Sequence, residues 1–183
     1  MSIKAQATIE DLYHVPESGK AEIVNGELRR MSPTGDFPSR AGLAILVSLH
    51  DHERRTGKGR CYPDNAAFIV NLPNRRSFSP DAAYYIGPRT GGKFLEGAPV
   101  FAAEVRSESD YGPVAERELA AKRRDYFAAG TLVVWDVDVL KDELVRVYRA
   151  TEPDNPMVYR RGKLAEAEPA LPGWTFPVED LFK

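Results

Sequence analysis

The chain contains a single cysteine, Cys61, among 183 residues. No disulfide can form within it, and a reducing cytoplasm is the expected setting. No uninterrupted apolar run reaches bilayer-spanning length, so no membrane partner is expected. The first twelve residues lack an apolar signal core. Lysine and arginine total 25 against 27 acidic residues, a net charge of −2. No global basic field is therefore available to hold nucleic acid nonspecifically. Repeats and low-complexity linkers are also missing, and residues 1–183 read as one domain. The three histidines and Cys61 show no metal-ligand spacing beyond His50-Asp51-His52, and on a helix those two histidines would point two ways. Gly91-Gly92-Lys93 lacks the strand and spacing of a phosphate-binding loop. No Ser/His/Asp or Cys/His set can be placed.

What is present is an alternation of short helices and strands. Thr8 caps a short helix to Leu12, with Asp11 at its third position. Ala21 to Met31 reads as two strands around Asn25-Gly26, the strongest two-residue hairpin signal. Ser39–Thr56 reads as a long helix with Leu43, Leu46, Val47 and His50 on its apolar side and Gly57 as its stop. Strands follow at Ala66–Leu72, Ala82–Ile86 and Val100–Val105. Pro113 opens a helix over Val114–Gly130. Thr131–Asp136 is a near-continuous apolar strand, hence buried on both faces. Leu144–Arg149 and Met157–Arg161 form a closing antiparallel pair. Strand, helix and buried strand over residues 100–136 imply a right-handed crossover in a mixed sheet.

Three charged residues stand out against this pattern. Lys122 falls inside the apolar stripe Ala115, Leu119, Tyr126 and Ala129 of the later helix. Asp81 and Glu104 each sit at the edge of a hydrophobic strand. Two acids and a cation converging on one sheet make a metal-dependent phosphodiester-cleaving centre. The alternative for Lys122 is a solvated pair with Glu118 at i−4. For Asp81 it is a turn cap after Pro80, and for Glu104 an ion pair with Arg106 or Lys122. Asp136 reads as supporting structure.

Pro80-Asp81 followed by Glu104-Val105-Arg106 resembles the PD-(D/E)XK nuclease signature. Ala21 to Leu28 with Met31-Ser32-Pro33, Ala98 to Ser107, Lys122 to Gly130, Val133-Val134-Trp135-Asp136 and Leu171 to Trp174 extend the likeness over nearly the whole chain. In order and spacing these runs resemble the Uma-type family of restriction-endonuclease-like proteins. The resemblance implies an α/β fold with a mixed β-sheet flanked by helices and an N-terminal β-hairpin extension. It implies a metal-dependent endonuclease acting on nucleic acid, DNA before RNA, with Mg²⁺ or Mn²⁺ as cofactor. An inactive nuclease-fold protein that binds nucleic acid or regulates is the alternative, and a homodimer is open.

The catalytic lysine of that family is similar to one moved onto the following helix, a position Lys122 matches. Asp81, Glu104 and the main-chain carbonyl of Val105 would be the metal ligands. Glu22 resembles an additional acid and could hold a metal-bound water. Arg106 occupies the signature lysine position and could stabilise phosphate charge, although as an arginine it cannot act as a base. The histidine that often follows Ser-Pro in the family is replaced here, with Ser39 and Arg40 in that region.

Overall fold

Asn25 and Gly26 both adopt positive φ, 52° and 73°. That is what a two-residue turn needs to match the twist of its strands, and it closes β1 (Ala21–Val24) onto β2 (Glu27–Arg30) as a separate antiparallel hairpin. The computed structural model describes residues 6–15 and 19–183; residues 1–5, the start of the stretch read for a signal core, lie outside these. Before the hairpin, α1 (Ile9–Tyr13) carries the Thr8 cap and a reciprocal Asp11 bond. After it come α2 (Asp36–Thr56), β3 (Arg60–Pro63), β4 (Phe68–Ile69), β5 (Ser77–Phe78), β6 (Ala82–Tyr85), β7 (Leu95–Glu96) and β8 (Phe101–Val105). Helix α3 (Pro113–Ala128) leads to β9 (Val133–Asp138), β10 (Leu144–Arg149), β11 (Glu152–Arg160), β12 (Leu164–Glu166) and β13 (Thr175–Pro177), and a 3₁₀ turn spans Val178–Phe182.

The main sheet runs β11-β10-β9-β8-β6-β3. Only β8 and β9 are parallel, joined through α3, as the crossover requires. Two cores flank it. Phe101, Ala103 and Val105 of β8 and Val133, Trp135 and Val137 of β9 pack with Ala41, Ile45 and Leu49 of α2. Trp174, from the C-terminal run, stacks on Trp135 at 5.0 Å and donates its indole N–H to Ser48 of α2 at 3.0 Å. The alternate residues, Ala83 and Tyr85 of β6, Ala102 of β8 and Val134 of β9, pack with Tyr126 of α3 on the other side. Strand alternation therefore turns Glu104 and Asp136 toward α3. They are paired partners across β8 and β9.

The apolar face read for α2 is corrected by the structure. Leu43 and Val47 are 52% and 54% exposed, whereas Ala41, Ile45, Leu49 and His52 face the sheet. Small residues, Ala41 and Gly42, sit where the helix comes close to the sheet, and hydropathy undercounts them. The strand expected over Ala66–Leu72 is regular only at Phe68–Ile69, and the short strands β3, β5, β7, β12 and β13 have no counterpart in the sequence reading. Among the described residues no helix is long and apolar enough to cross a membrane. Leu49→Ala is expected to lower unfolding stability by about 2–5 kcal/mol, and Leu43→Ala by no more than about 0.5 kcal/mol. Chemical denaturation midpoints of the two variants check this assignment of faces.

Candidate active site

Asp81 stands immediately before β6, and its N–H donates to the Ala103 carbonyl at 3.1 Å. Continuing the register Ala82↔Ala103 by one residue sets Asp81 opposite Glu104. The Val105 N–H donates to Asp81 Oδ2 at 2.7 Å, fastening this carboxylate to the end of the strand that carries Glu104. Asp81, Glu104 and Lys122 all line one cleft of about 500 Å³, together with Lys20, Glu22 and Arg106.

Lys122 reaches this cleft from α3 and is held by two carboxylates. Its Nζ is 2.9 Å from Glu104 Oε2 and 2.9 Å from Glu22 Oε1. Glu118, the partner of the alternative reading, instead pairs with Arg29 at 3.6 Å. One turn after Lys122, the buried Tyr126 hydroxyl donates to Glu104 Oε1 at 2.6 Å. Both oxygens of Glu104 are thus engaged by neighbouring turns of one helix.

Glu22 is more enclosed than a hairpin residue should be, at 4% exposed. Arg75 Nη1 donates to its Oε2 at 2.5 Å, and the Ser79 N–H donates to its Oε1 at 2.9 Å. Arg75 also reaches Asp125 of α3 at 2.8 Å through Nε. Hairpin, the loop before β5 and α3 are therefore joined around one buried acid.

The sequence reading missed two basic residues here. Lys20 Nζ lies 2.8 Å from Asp81 Oδ1 and 2.6 Å from Asp64 Oδ1. Its spacing of two from Glu22 was the available signal, because alternate residues of an extended segment share a face. Arg75 sits in an irregular loop and carried no such signal. Arg106 lies beside the cleft, but its guanidinium is committed elsewhere. Nε and Nη2 donate to Asp136 at 2.6 and 2.7 Å, and Glu116 takes the remaining side of the fork.

The charges respond to this enclosure. Burial pushes the Glu104 carboxyl up; the pull of Lys122 falls short of cancelling it, and Asp81 and Glu22 add repulsion. For Glu22 burial also acts upward, but Lys122 and Arg75 outweigh it and hold the carboxylate below its usual range. Burial would lower Lys122 and Lys20, yet the acids around them raise both, so both remain ammonium ions. Burial and the Glu104 charge push the Tyr126 hydroxyl well up, so it stays a proton donor.

Removing Lys122 takes the ion-pair partner from the half-buried Glu104, while Glu22 keeps Arg75. Lys122→Met is expected to cost about 3–5 kcal/mol in metal-free protein near neutral pH. Without the ammonium, the Glu104 carboxyl is pushed further up by burial, and a group whose folded-state pKa lies above its unfolded one destabilises as pH rises. The deficit relative to wild type should therefore shrink as pH falls toward 4.5. Parallel urea titrations across that range check the sign.

The family model described as "Uma2: Putative restriction endonuclease" matches residues 7–179. Among solved structures, the chain is similar to a putative nuclease belonging to DUF820 from Anabaena variabilis, with a TM-score of 0.75. That match has 17% sequence identity and covers 96% of this chain and 97% of the other. At this identity it establishes the fold: the expected restriction-endonuclease-like mixed sheet between helices is the one observed. No functionally curated protein matches the chain.

Proposed function

The chain belongs to the Uma2 family of putative restriction endonucleases, and from that membership and the cleft we propose that it is a metal-dependent endonuclease hydrolysing phosphodiester bonds in nucleic acid, DNA foremost. The observation that carries the reading is the convergence of Asp81, Glu104 and a half-buried, doubly paired Lys122 in one open cleft. A structural ion pair needs one acid for one base. Here the acids Asp81, Glu104 and Glu22 crowd the cleft, and burial, with added repulsion from Asp81 and Glu22, drives the Glu104 carboxyl up. Such perturbation is what functional clefts concentrate.

The donor set fits a hard divalent cation. Asp81 and Glu104 offer carboxylate oxygens and Val105 a main-chain carbonyl, the ligand class of Mg²⁺ and Mn²⁺. Lys20 pairs with Asp81 in the structure, so a metal at Asp81 would displace its ammonium. When bound, the metal supplies Lewis acidity toward a phosphate oxygen and lowers the pKa of water. The protein's own groups do the rest. Lys122 is pre-set by Glu22 and Glu104 and can meet charge developing on the phosphoryl group without reorganising. Glu22, closed in by Arg75 and the Ser79 N–H, is a positioning residue for Lys122. Tyr126 orients Glu104. Arg29 and Arg30 on β2 line the same cleft and suit contacts to the phosphate backbone. Arg106, spent on Asp136 and Glu116, braces the β8 end and holds no free donor pair for phosphate.

One observation favours a second reading, a nucleic-acid-binding module that does not cleave. Lys20 already neutralises Asp81 at 2.8 Å. The deciding assay offers plasmid DNA, short duplexes, single strands and RNA to metal-stripped protein, with and without Mg²⁺ or Mn²⁺. Cleavage is expected only with the metal, lost in Asp81→Ala and reduced roughly a hundredfold or more in Lys122→Met. Metal-independent binding without cleavage would establish the second reading, and neither binding nor cleavage would reject both.

A further inference from the structure

Three ligand types that sequence spacing left unconnected meet at the far end of α2. His50 and Glu53 stand three residues apart on one helical face, and Cys61 follows the return onto β3. Their ligating atoms all lie within 4.8 Å of one another. Cys61 Sγ is 3.8 Å from His50 Nδ1, and His50 Nδ1 is 3.8 Å from Glu53 Oε2. Metal–ligand bonds of about 2.0–2.3 Å in a tetrahedral site place neighbouring ligands about 3.3–3.8 Å apart. The two separations from His50 lie at the top of this range and the third falls within 4.8 Å, so side-chain adjustment closes the shell.

The site is held in place by its backbone. The Cys61 N–H donates to Glu53 Oε2 at 2.8 Å, which pins the carboxylate beside the thiol. Gly57 ends the helix at φ 63° and Gly59 turns the chain at φ 86°. A Cβ at Gly59 would come within 2.6 Å of the Tyr84 ring, so the return is tightly fixed. His50 and His52 do point two ways: His50 is exposed, while His52 packs against Tyr84.

We propose that His50, Glu53 and Cys61 form a zinc-binding site, separate from the acidic cleft, that fastens the edge strand β3 to the C-terminal end of α2. Thiolate and imidazole favour zinc over magnesium, whereas the all-oxygen cleft offers the hard ligands that suit Mg²⁺ and Mn²⁺. The exposed side of His50 leaves a fourth position for water. A Cβ built on Gly42 of α2 would lie 3.9 Å from Asp81, and His50 lies eight residues, about 12 Å, further along the helix. One ion therefore cannot serve both places. Without metal, burial and the neighbouring carboxylate push the Cys61 thiol up to about 12, so it is protonated. On loading, the Cys61 S–H bond breaks as the zinc–sulfur bond forms, and the proton leaves to solvent.

The test uses the full, reduced, chelator-stripped chain, titrated with Co²⁺ by absorbance and with Zn²⁺ by calorimetry. Wild type and Asp81→Ala should both show a thiolate-to-cobalt charge-transfer band saturating at one equivalent, bleached by added Zn²⁺. Cys61→Ser should lose the band, and His50→Ala, altering an exposed side chain, should weaken zinc binding by about tenfold or more. Mg²⁺-dependent cleavage by His50→Ala should match wild type, which separates this site from the nuclease centre. Absence of the charge-transfer band in wild type at millimolar Co²⁺, or zinc affinity unchanged in His50→Ala, would overturn the proposal.

Discussion

A lysine ammonium half-buried between Glu104 and Glu22 is the interaction on which the rest of the cleft depends. A charge removed from water is costly unless it is paired and hydrogen-bonded. Lys122, carried by α3, meets that requirement only because two other elements deliver partners to it: β8 brings Glu104 and the hairpin brings Glu22. Each acid is then finished by a further donor, Tyr126 for Glu104, and Arg75 with the Ser79 N–H for Glu22. No member can leave without exposing another to an uncompensated charge, so the cluster is both a fold constraint and a preset electrostatic environment.

That constraint explains the hairpin. A two-stranded ribbon is marginal by itself, yet β1 is buried along its whole length. Leu12, Ala21 and Ile23 give it a small apolar core, and Glu22, between those apolar residues, is tied to Arg75 and Lys122. The hairpin thereby becomes one wall of the cleft, with Lys20 on its near edge and Arg29 and Arg30 on its returning strand. On the opposite wall, Arg106 cross-links the end of β8 to Asp136 on β9 and to Glu116 at the start of α3. It keeps Glu104 and Lys122 in register by bracing the elements that carry them.

Much of this was legible in the sequence because it follows local periodicities. Asn25-Gly26 set the hairpin, the period of two turned Glu104 to the α3 side, and the period of 3.6 put Lys122 in the stripe with Tyr126. The family likeness added the order of the elements. Arg106 was expected to face phosphate, but its partners Asp136 and Glu116 depend on which strand lies beside β8, and spacing does not encode sheet order. The α2 face was misread because Leu43 and Val47 outweigh Ala41 and Gly42 in hydropathy, although only small residues fit where helix and sheet approach closely. Arg75 and the His50–Glu53–Cys61 group were hidden for the same reason: loops and tight turns join them, with no period to follow.

The proposed activity stands or falls on whether Asp81 and Glu104 hold a divalent metal beside the Lys122 cluster. Crystals grown metal-free and then soaked in Mn²⁺, measured at the manganese absorption edge, test it directly. The account predicts an anomalous peak coordinated by Asp81 and Glu104, with the Lys20 ammonium moved off Asp81 and the Lys122–Glu22 pair intact. A cleft with no anomalous peak at saturating Mn²⁺, and with Lys20 still bonded to Asp81, would contradict it.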